Sequence, residues 1–464
     1  MKISPESGII FTVITTLLLL VLNTGSYSNP EPSAEWKAGV AKSVITPEKQ
    51  MWMAGYGFRD RPSDGTLHDL WAKVLVIEDT EGHRAVLVTT DILGFPTDVS
   101  NRIRDRIEQD YGLGRSQVLL NSSHTHTGPV LKNALVDIYP MDSDQLKLVE
   151  KYTAQLEDQI VRLVGSAVEK MEPATIFAEN GVTRFQVNRR NNDAATLHRQ
   201  TELSGPNDYA VPVIKVVNAS GEIMAIAFGY ACHPTVLNHY KWSGDYPGFA
   251  QIELEKAYPD ALALFFQGAG ADQNPLPRQT IELAEQYGRS LSAAVKRVLN
   301  EDMRKLEPTL STAYTEVDLA LTGHPSQEEL LEMIQERSGY QQRWAERYYD
   351  KVEGGKPIKT EYPFPLQVWK LGDQVVFGLG GELVVEYSIR LKRIFGQDIF
   401  VLGYSNDVMG YIPSEKILME GGYEGDFSQM VYGLPSKWTP DIESVIIHEL
   451  IQLAEEAGIP FYNY

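Results

Sequence analysis

The runs AVLVTTDI (85–92), VLLNSS (118–123), VPVIKVV (211–217), MAIAFGYA (224–231), ALALFFQG (261–268), VVFGLGG (375–381) and IFVLGYS (399–405) are β-rich, and several are apolar on both faces. Strands of that kind belong between covering layers, because a sheet with one wetted face would leave half of each run in water. They alternate with helix-like segments from Val44 to Ile451, and no repeat, low-complexity tract or long Gly/Ser linker separates them. The pattern predicts one α/β unit: a large layered mixed-sheet domain with flanking helices.

Two helices stand out. Asp98–Tyr111 carries Val99, Ile103, Ile107 and Tyr111 on one stripe with Gly112 as its stop, and Ser143–Met171 carries Tyr152, Leu156, Ile160 and Leu163. A third is predicted near Ile442–Ala457. Glu328–Tyr362, rich in Glu, Arg, Tyr and Gln before Gly354, Gly355 and Pro357, reads as a surface helix followed by a loop. Its aromatics Tyr340, Trp344, Tyr348 and Tyr349 either pack on the main body or form a lid, and packing is the stronger reading.

The residues with the most reactive side chains lie just past the strand-like runs. VLLNSS leads into His124, IAFGYAC into His233, ALALFFQGAG into Asp272, VVFGLGG into Glu382, and FVLGYSND towards Tyr411. Ligands in α/β folds bind outside the carboxyl ends of strands, where loops converge on a rigid sheet. These exits predict one shared site there.

A chain of 464 residues can bury an ample core, and its one cysteine, Cys232, excludes an intramolecular disulfide. Lys2 followed by an apolar run from Ile9 to Leu22 and the small residues before Asn29 reads as a secretory signal peptide over residues 1–28. The run is shorter than the roughly 20 residues of a spanning helix, so an uncleaved anchor is the weaker reading. The expected product is exported, to the periplasm or the extracellular space. The formal charge of −20 and the lack of a Lys/Arg cluster exclude a nucleic-acid partner.

Ser123-His124-Thr125-His126-Thr127-Gly128-Pro129 is the most informative segment. Residues two apart in an extended stretch point the same way, so His124 and His126 can face one centre. Thr127, Gly128 and Pro129 stand where binuclear hydrolases usually add further Asp and His, which argues against two metals. His233, in Ala-Cys-His-Pro-Thr, is either a second ligand or a hydrogen-bonded core histidine. Glu382 tips that balance, because a carboxylate at the exit of so apolar a strand needs a cation or a donor.

SHTHTGP, ACHPT, GGE, the run Tyr404-Ser405-Asn406-Asp407-Val408-Met409-Gly410-Tyr411 and Gly422-Tyr423-Glu424-Gly425 resemble, in order and approximate spacing, the neutral/alkaline non-lysosomal ceramidases. Met53-Ala54-Gly55-Tyr56, Leu67-His68-Asp69-Leu70-Trp71-Ala72 and Asn188-Arg189 are similar to that family too, so the resemblance runs from about Val40 to Gly425. It implies a catalytic domain over residues 29–464 in which one zinc ion per chain is held by His124, His233, Glu382 and Tyr411. It implies that His126 shuttles protons while Arg189 and Tyr423 face the substrate carbonyl, with Tyr423 alternatively only capping the site wall.

Asp272 and Asn274 fall where the family has Asp and then Ser before Pro. An amide is no nucleophile, so Asn274 favours attack by water. Asp272 either orients a metal-bound histidine or serves a turn. Family members continue into a carboxyl-terminal β-sandwich, and here none is expected.

The implied activity is hydrolysis of the N-acyl amide bond of ceramide or a related lipid amide by zinc-activated water, in peripheral contact with a membrane. A zinc hydrolase acting on a non-lipid amide or ester keeps the same centre. A non-catalytic zinc-binding protein is the weakest reading, because structural zinc usually takes cysteines.

Overall fold

In the computed structural model, which describes residues 35–461, the apolar runs become strands that divide their two faces between different layers. The segments called as the signal peptide lie outside the described residues. The main path of the larger, nine-stranded sheet is built by β1 (Trp36–Val44), β2 (Trp71–Glu78), β3 (Arg84–Thr90), β4 (Val118–Ser122), β5 (Glu172–Val182), β6 (Ala210–Asn218), β7 (Ile223–Tyr230) and β8 (Leu262–Gln267), with the two-residue strand Arg304–Lys305 paired to β5 off that path. Their spatial order is β8-β7-β6-β5-β1-β2-β3-β4. The pairs at both ends, β8 with β7 and β3 with β4, are parallel, and those between are antiparallel. The second sheet runs β9 (Leu310–Ala320), β10 (Glu361–Leu371), β11 (Gln374–Leu379) and β12 (Phe400–Leu402), the last pair parallel.

Successive strand residues point to opposite faces, and that alternation creates the layers. Val74, Val76, Val86 and Val88 meet α1 (Thr97–Tyr111) and α2 (Ser143–Glu169) through Val99, Ile103, Leu156 and Ile160. Their neighbours Leu75, Ile77 and Leu87 turn instead to the second sheet and meet Trp369, Leu371, Val376 and Phe400. At the other end of the large sheet Val213, Phe228 and Phe265 pack under α3 (Asp245–Ala257) and α4 (Ile281–Leu299).

The far face of the second sheet is covered in the same way. The segment 328–362 forms two helices in place of the one expected, α5 (Gln327–Glu336) and α6 (Tyr340–Glu353), because the backbone turns extended at Arg337, and Gly339, at φ 67°, starts the second. Trp344 and Tyr348 are buried and donate to the carbonyls of Leu434 and Gly433, so these two aromatics pack on the body. Phe364, Leu366, Val368 and Phe377 then meet α7 (Val385–Phe395) and, beyond the short α8 (Glu415–Glu420), α9 (Ile442–Glu456). The order of layers is helix, sheet, sheet, helix. Among the described residues no helix is long and apolar enough to cross a membrane.

The two sheets are joined at the strand ends. Asn121 bridges to Ser405 and Gly268 to Leu402. The buried Asn121 amide donates to Gly403 O at 2.8 Å and accepts from Gln267 N at 2.8 Å. That stitch brings the exits of β4, β8 and β12 together, and Glu382 and Leu383 pair in parallel with Tyr411 and Ile412 beside it.

Candidate metal centre

His124 follows the end of β4 and adopts φ 63°, an uncommon left-handed conformation for a side-chain-bearing residue. Its backbone N–H binds Ile92 O, and its Nδ1 lies 2.6 Å from Leu93 O. His233, past the end of β7, is held alike, with Nδ1 3.2 Å from Gly270 O. A neutral imidazole that donates from Nδ1 keeps its lone pair on Nε2, so two backbone carbonyls prepare both rings to bind through Nε2.

Glu382 follows β11 and is almost wholly buried. Its Oε2 lies 3.3 Å from His124 Nε2 and 3.4 Å from His233 Nε2. Neither that oxygen nor His233 Nε2 has a hydrogen-bond partner. Burial, with His124 next in weight, pushes the His233 pKa well down, so its ring is neutral and cannot supply a proton to the carboxylate. Buried polar atoms left in this state cost free energy unless something else meets them. A soft-to-borderline cation that takes imidazole nitrogen and carboxylate oxygen fits this donor set.

The structure also brings His126 into the cluster: ligand atoms of His124, His126 and His233 all lie within 4.8 Å of one another. His126 Nε2 is 3.3 Å from His124 Nε2, but its Nδ1 is buried without a partner. No carbonyl fixes its tautomer as Leu93 and Gly270 fix those of the other two. Gly55 explains how the ring fits, since a Cβ there would stand 2.5 Å from His126 Cγ. Tyr56 covers the ring edge-on at 4.7 Å.

Tyr411 stacks near His233, with ring centroids 6.5 Å apart, and its hydroxyl accepts from Arg189 Nη2 at 3.1 Å. Burial pushes its pKa well up, opposed by the Arg189 charge. Arg189 also donates from Nε to Glu424 Oε1 at 2.7 Å and from Nη1 to Asn274 Oδ1 at 3.4 Å. Tyr423 stands at the edge of the site, 44% exposed, with its ring 5.3 Å from that of Tyr411.

Asp272 is buried but does not hold either histidine ring. Its carboxylate accepts from Asn188 Nδ2 and from Val385 N, both at 2.9 Å, and its carbonyl accepts from Arg189 N. It thereby ties the segment carrying Arg189 to the turn carrying Glu382.

Two residues at the centre escaped sequence reasoning. Tyr432 donates to Glu382 Oε1 at 2.5 Å, which leaves Oε2 as the oxygen facing the histidines. Glu424 binds both Arg189 and Arg190. Neither position sits at a strand exit; Glu424 was visible only as part of the Tyr423-Glu424 motif, and Tyr432 carried no signal.

Fold and site together define an αββα protein with a candidate metal centre at the strand ends. Residues 36–269, about half of the chain, match the family described as neutral/alkaline non-lysosomal ceramidase, N-terminal, and the chain belongs to that family. It is 25% identical over 287 residues to neutral ceramidase 1 of Arabidopsis thaliana and 26% identical over 264 residues to neutral ceramidase A of Dictyostelium discoideum. Those matches cover 60% and 52% of this chain but only 36% of each relative, so the shared part is about a third of the relatives' length. The crystal structure of neutral ceramidase from Pseudomonas aeruginosa superposes with a TM-score of 0.72 at 19% identity, over 93% of this chain and 76% of that one. A structure of ceramidase complexed with C2 gives the same TM-score at 18% identity, and these two likenesses establish the fold.

Proposed function

We propose that this chain is an exported, zinc-dependent hydrolase that cleaves the N-acyl amide bond of ceramide or a related lipid amide. The observation that carries the reading is the convergence of His124 Nε2, His233 Nε2 and Glu382 Oε2, two of them buried without any hydrogen-bond partner. It occurs in a chain of the neutral/alkaline ceramidase family. His124, His233, Glu382 and Tyr411 would hold the zinc, one ion per chain. Bound there, zinc supplies a Lewis acid and makes hydroxide available near neutral pH, where water's own pKa is far too high.

The chain's residues divide the remaining work. Arg189 is fixed by Glu424, Tyr411 and Asn274, and its remaining N–H groups, with the Tyr423 hydroxyl, would stabilise an amide oxygen as it gains charge. His126, neutral because burial lowers its pKa, can accept a proton and pass it to the leaving amine. Its unfixed tautomer suits that task, since a shuttle must exchange protons at either nitrogen. Asn274 contributes no nucleophile, which leaves water as the attacking group.

The test is fatty-acid release from a long-chain ceramide by the purified chain, with chelator and with zinc restored, beside a short soluble N-acyl amide. Zinc-restored cleavage of the ceramide is the expected result. Cleavage of the short amide alone would remove lipid amides as substrates, and no cleavage of either would remove the hydrolase. Export rests on the segment 1–28 and is checked by recovering the chain without it from the periplasm or the medium.

A further inference from the structure

Four large apolar side chains on segments that flank the metal centre are exposed: Phe58 is 60% exposed, Met419 73%, Tyr423 44% and Phe427 61%. They come from two separate segments that reach the centre from different sides. Phe58 stacks on Tyr56 at 5.0 Å, and Tyr56 lies against His126. Tyr423 lies against Tyr411, and the turn 423–427 is pressed on α8, where a Cβ on Gly425 would stand 2.4 Å from Ile417 O. Met419 and Phe427 therefore belong to the exposed segments on the Tyr411 side, and Phe58 to the exposed segment on the His126 side.

Exposed apolar groups clustered around a site entrance mark a surface that water does not normally cover. Charge decides what does cover it. Arg61 pairs with Asp64 at 3.0 Å, and Arg59 and Asp60 lie between them and Phe58 in sequence. In the other segment Arg190 pairs with Glu420 and Glu424, Arg189 with Glu424, and Lys416 lies 3.9 Å from Glu420. The rim is thus close to electrically balanced in a chain whose formal charge is −20. A balanced apolar patch matches an electrically neutral, apolar partner and offers nothing to a strongly charged one.

We infer that the entrance of the metal centre docks on a zwitterionic lipid surface by inserting Phe58, Met419 and Phe427. This deepens the lipid-amide reading and rests on it for its purpose: a substrate held in an aggregate would pass from that surface into the site without crossing water. Phe and Met side chains suit the apolar layer just beneath the headgroups.

The experiment is co-sedimentation of the purified chain with phosphatidylcholine vesicles, which needs no ceramide and no turnover. The chain should bind the vesicles, and Met419→Ser with Phe427→Ser should weaken binding roughly tenfold or more, since each loses burial of a large apolar side chain. Phe58→Ser should weaken it alone, from the opposite side. Leu146→Ser, which removes a comparably exposed apolar residue on α2, should change nothing. Turnover of a soluble short-chain amide, if the chain hydrolyses one, should persist in all of them. Absence of vesicle binding by the parent chain, or equal binding by the Met419/Phe427 variant, would overturn the inference. So would a parent chain that sediments as a dimer and becomes a monomer in that variant, because a second copy would then be the partner. Vesicle binding that survives with no ceramide cleavage would count against the proposed substrate and leave the docking surface standing.

Discussion

The interface between the two sheets and the centre at their ends lie a few residues apart on the same strands, yet they treat buried atoms oppositely. Between the sheets Leu75, Ile77, Leu87, Ile214, Phe266, Trp369, Val376 and Phe400 enclose a cavity of about 30 Å³ with almost no polar lining. At the ends, His233 Nε2, His126 Nδ1 and Glu382 Oε2 are buried with no partner, and His124 holds a left-handed backbone. The interior is lined by apolar atoms alone, whereas the ends set imidazole nitrogens and a carboxylate oxygen around one point, a donor set that could hold a metal ion. The contrast sets a packing role for the first region against the proposed metal-binding role of the second.

Substitutions in the two regions should therefore separate. The largest effect is expected from Glu382→Gln, which should abolish metal binding and turnover while leaving the melting temperature of the metal-free chain nearly unchanged; an inactive but metal-loaded variant would break the contrast. His126→Ala should slow turnover by roughly 10²–10⁴-fold, the range for a proton-transferring group, with metal content kept. Loss of the metal in that variant would make His126 a ligand.

Phe266→Ala belongs to the other side of the comparison. It should cost about 3–5 kcal/mol of stability, read from denaturant unfolding, with the metal affinity of the folded chain retained. Tyr432→Phe removes the hydroxyl that occupies Glu382 Oε1 and should weaken metal binding by roughly 10–100-fold, read by competition with a chromophoric chelator. An unchanged affinity would show that Glu382 needs no such support.

The most gradual effect concerns Asp407, near the join of the sheets, because it is spread over several pH units. Burial pushes its carboxyl up to about 7, against the hydrogen bonds from Thr97 and Tyr362. Its ordinary value is 3.8, so between about pH 4 and 7 the unfolded chain releases a proton that the folded chain keeps. Stability from this group is thus present at low pH and falls as pH rises through that window, with a slope of about 1 kcal/mol per pH unit. Asp407→Asn should remove that slope from the pH dependence of unfolding, and an unaltered slope would exclude Asp407 as its source.

Much of this was legible in the sequence because buried strands and reactive residues at their ends both leave local marks. The two-faced apolar runs foretold the layers, and the reactive residue past each run foretold His124, His233, Glu382 and Tyr411 at one end. β9 was not legible: most of its residues are half-buried or exposed and it alternates weakly, as in LSTAYTEVDLA. The break at Gly339 was missed because the charged pattern continues on both sides of it. Tyr432 was missed for another reason: its role exists only in the fold, 50 residues from the carboxylate it holds. The carbonyls of Leu93 and Gly270 are likewise invisible to a reading of side chains.

The most direct measurement is the zinc content of the purified chain after exhaustive dialysis, by atomic emission, together with its thermal unfolding before and after a chelator. One zinc per chain, and a melting temperature that falls with chelator and returns when zinc is restored, is the predicted result. A chain that retains no zinc, and whose melting temperature responds to neither chelator nor added zinc, would contradict the account.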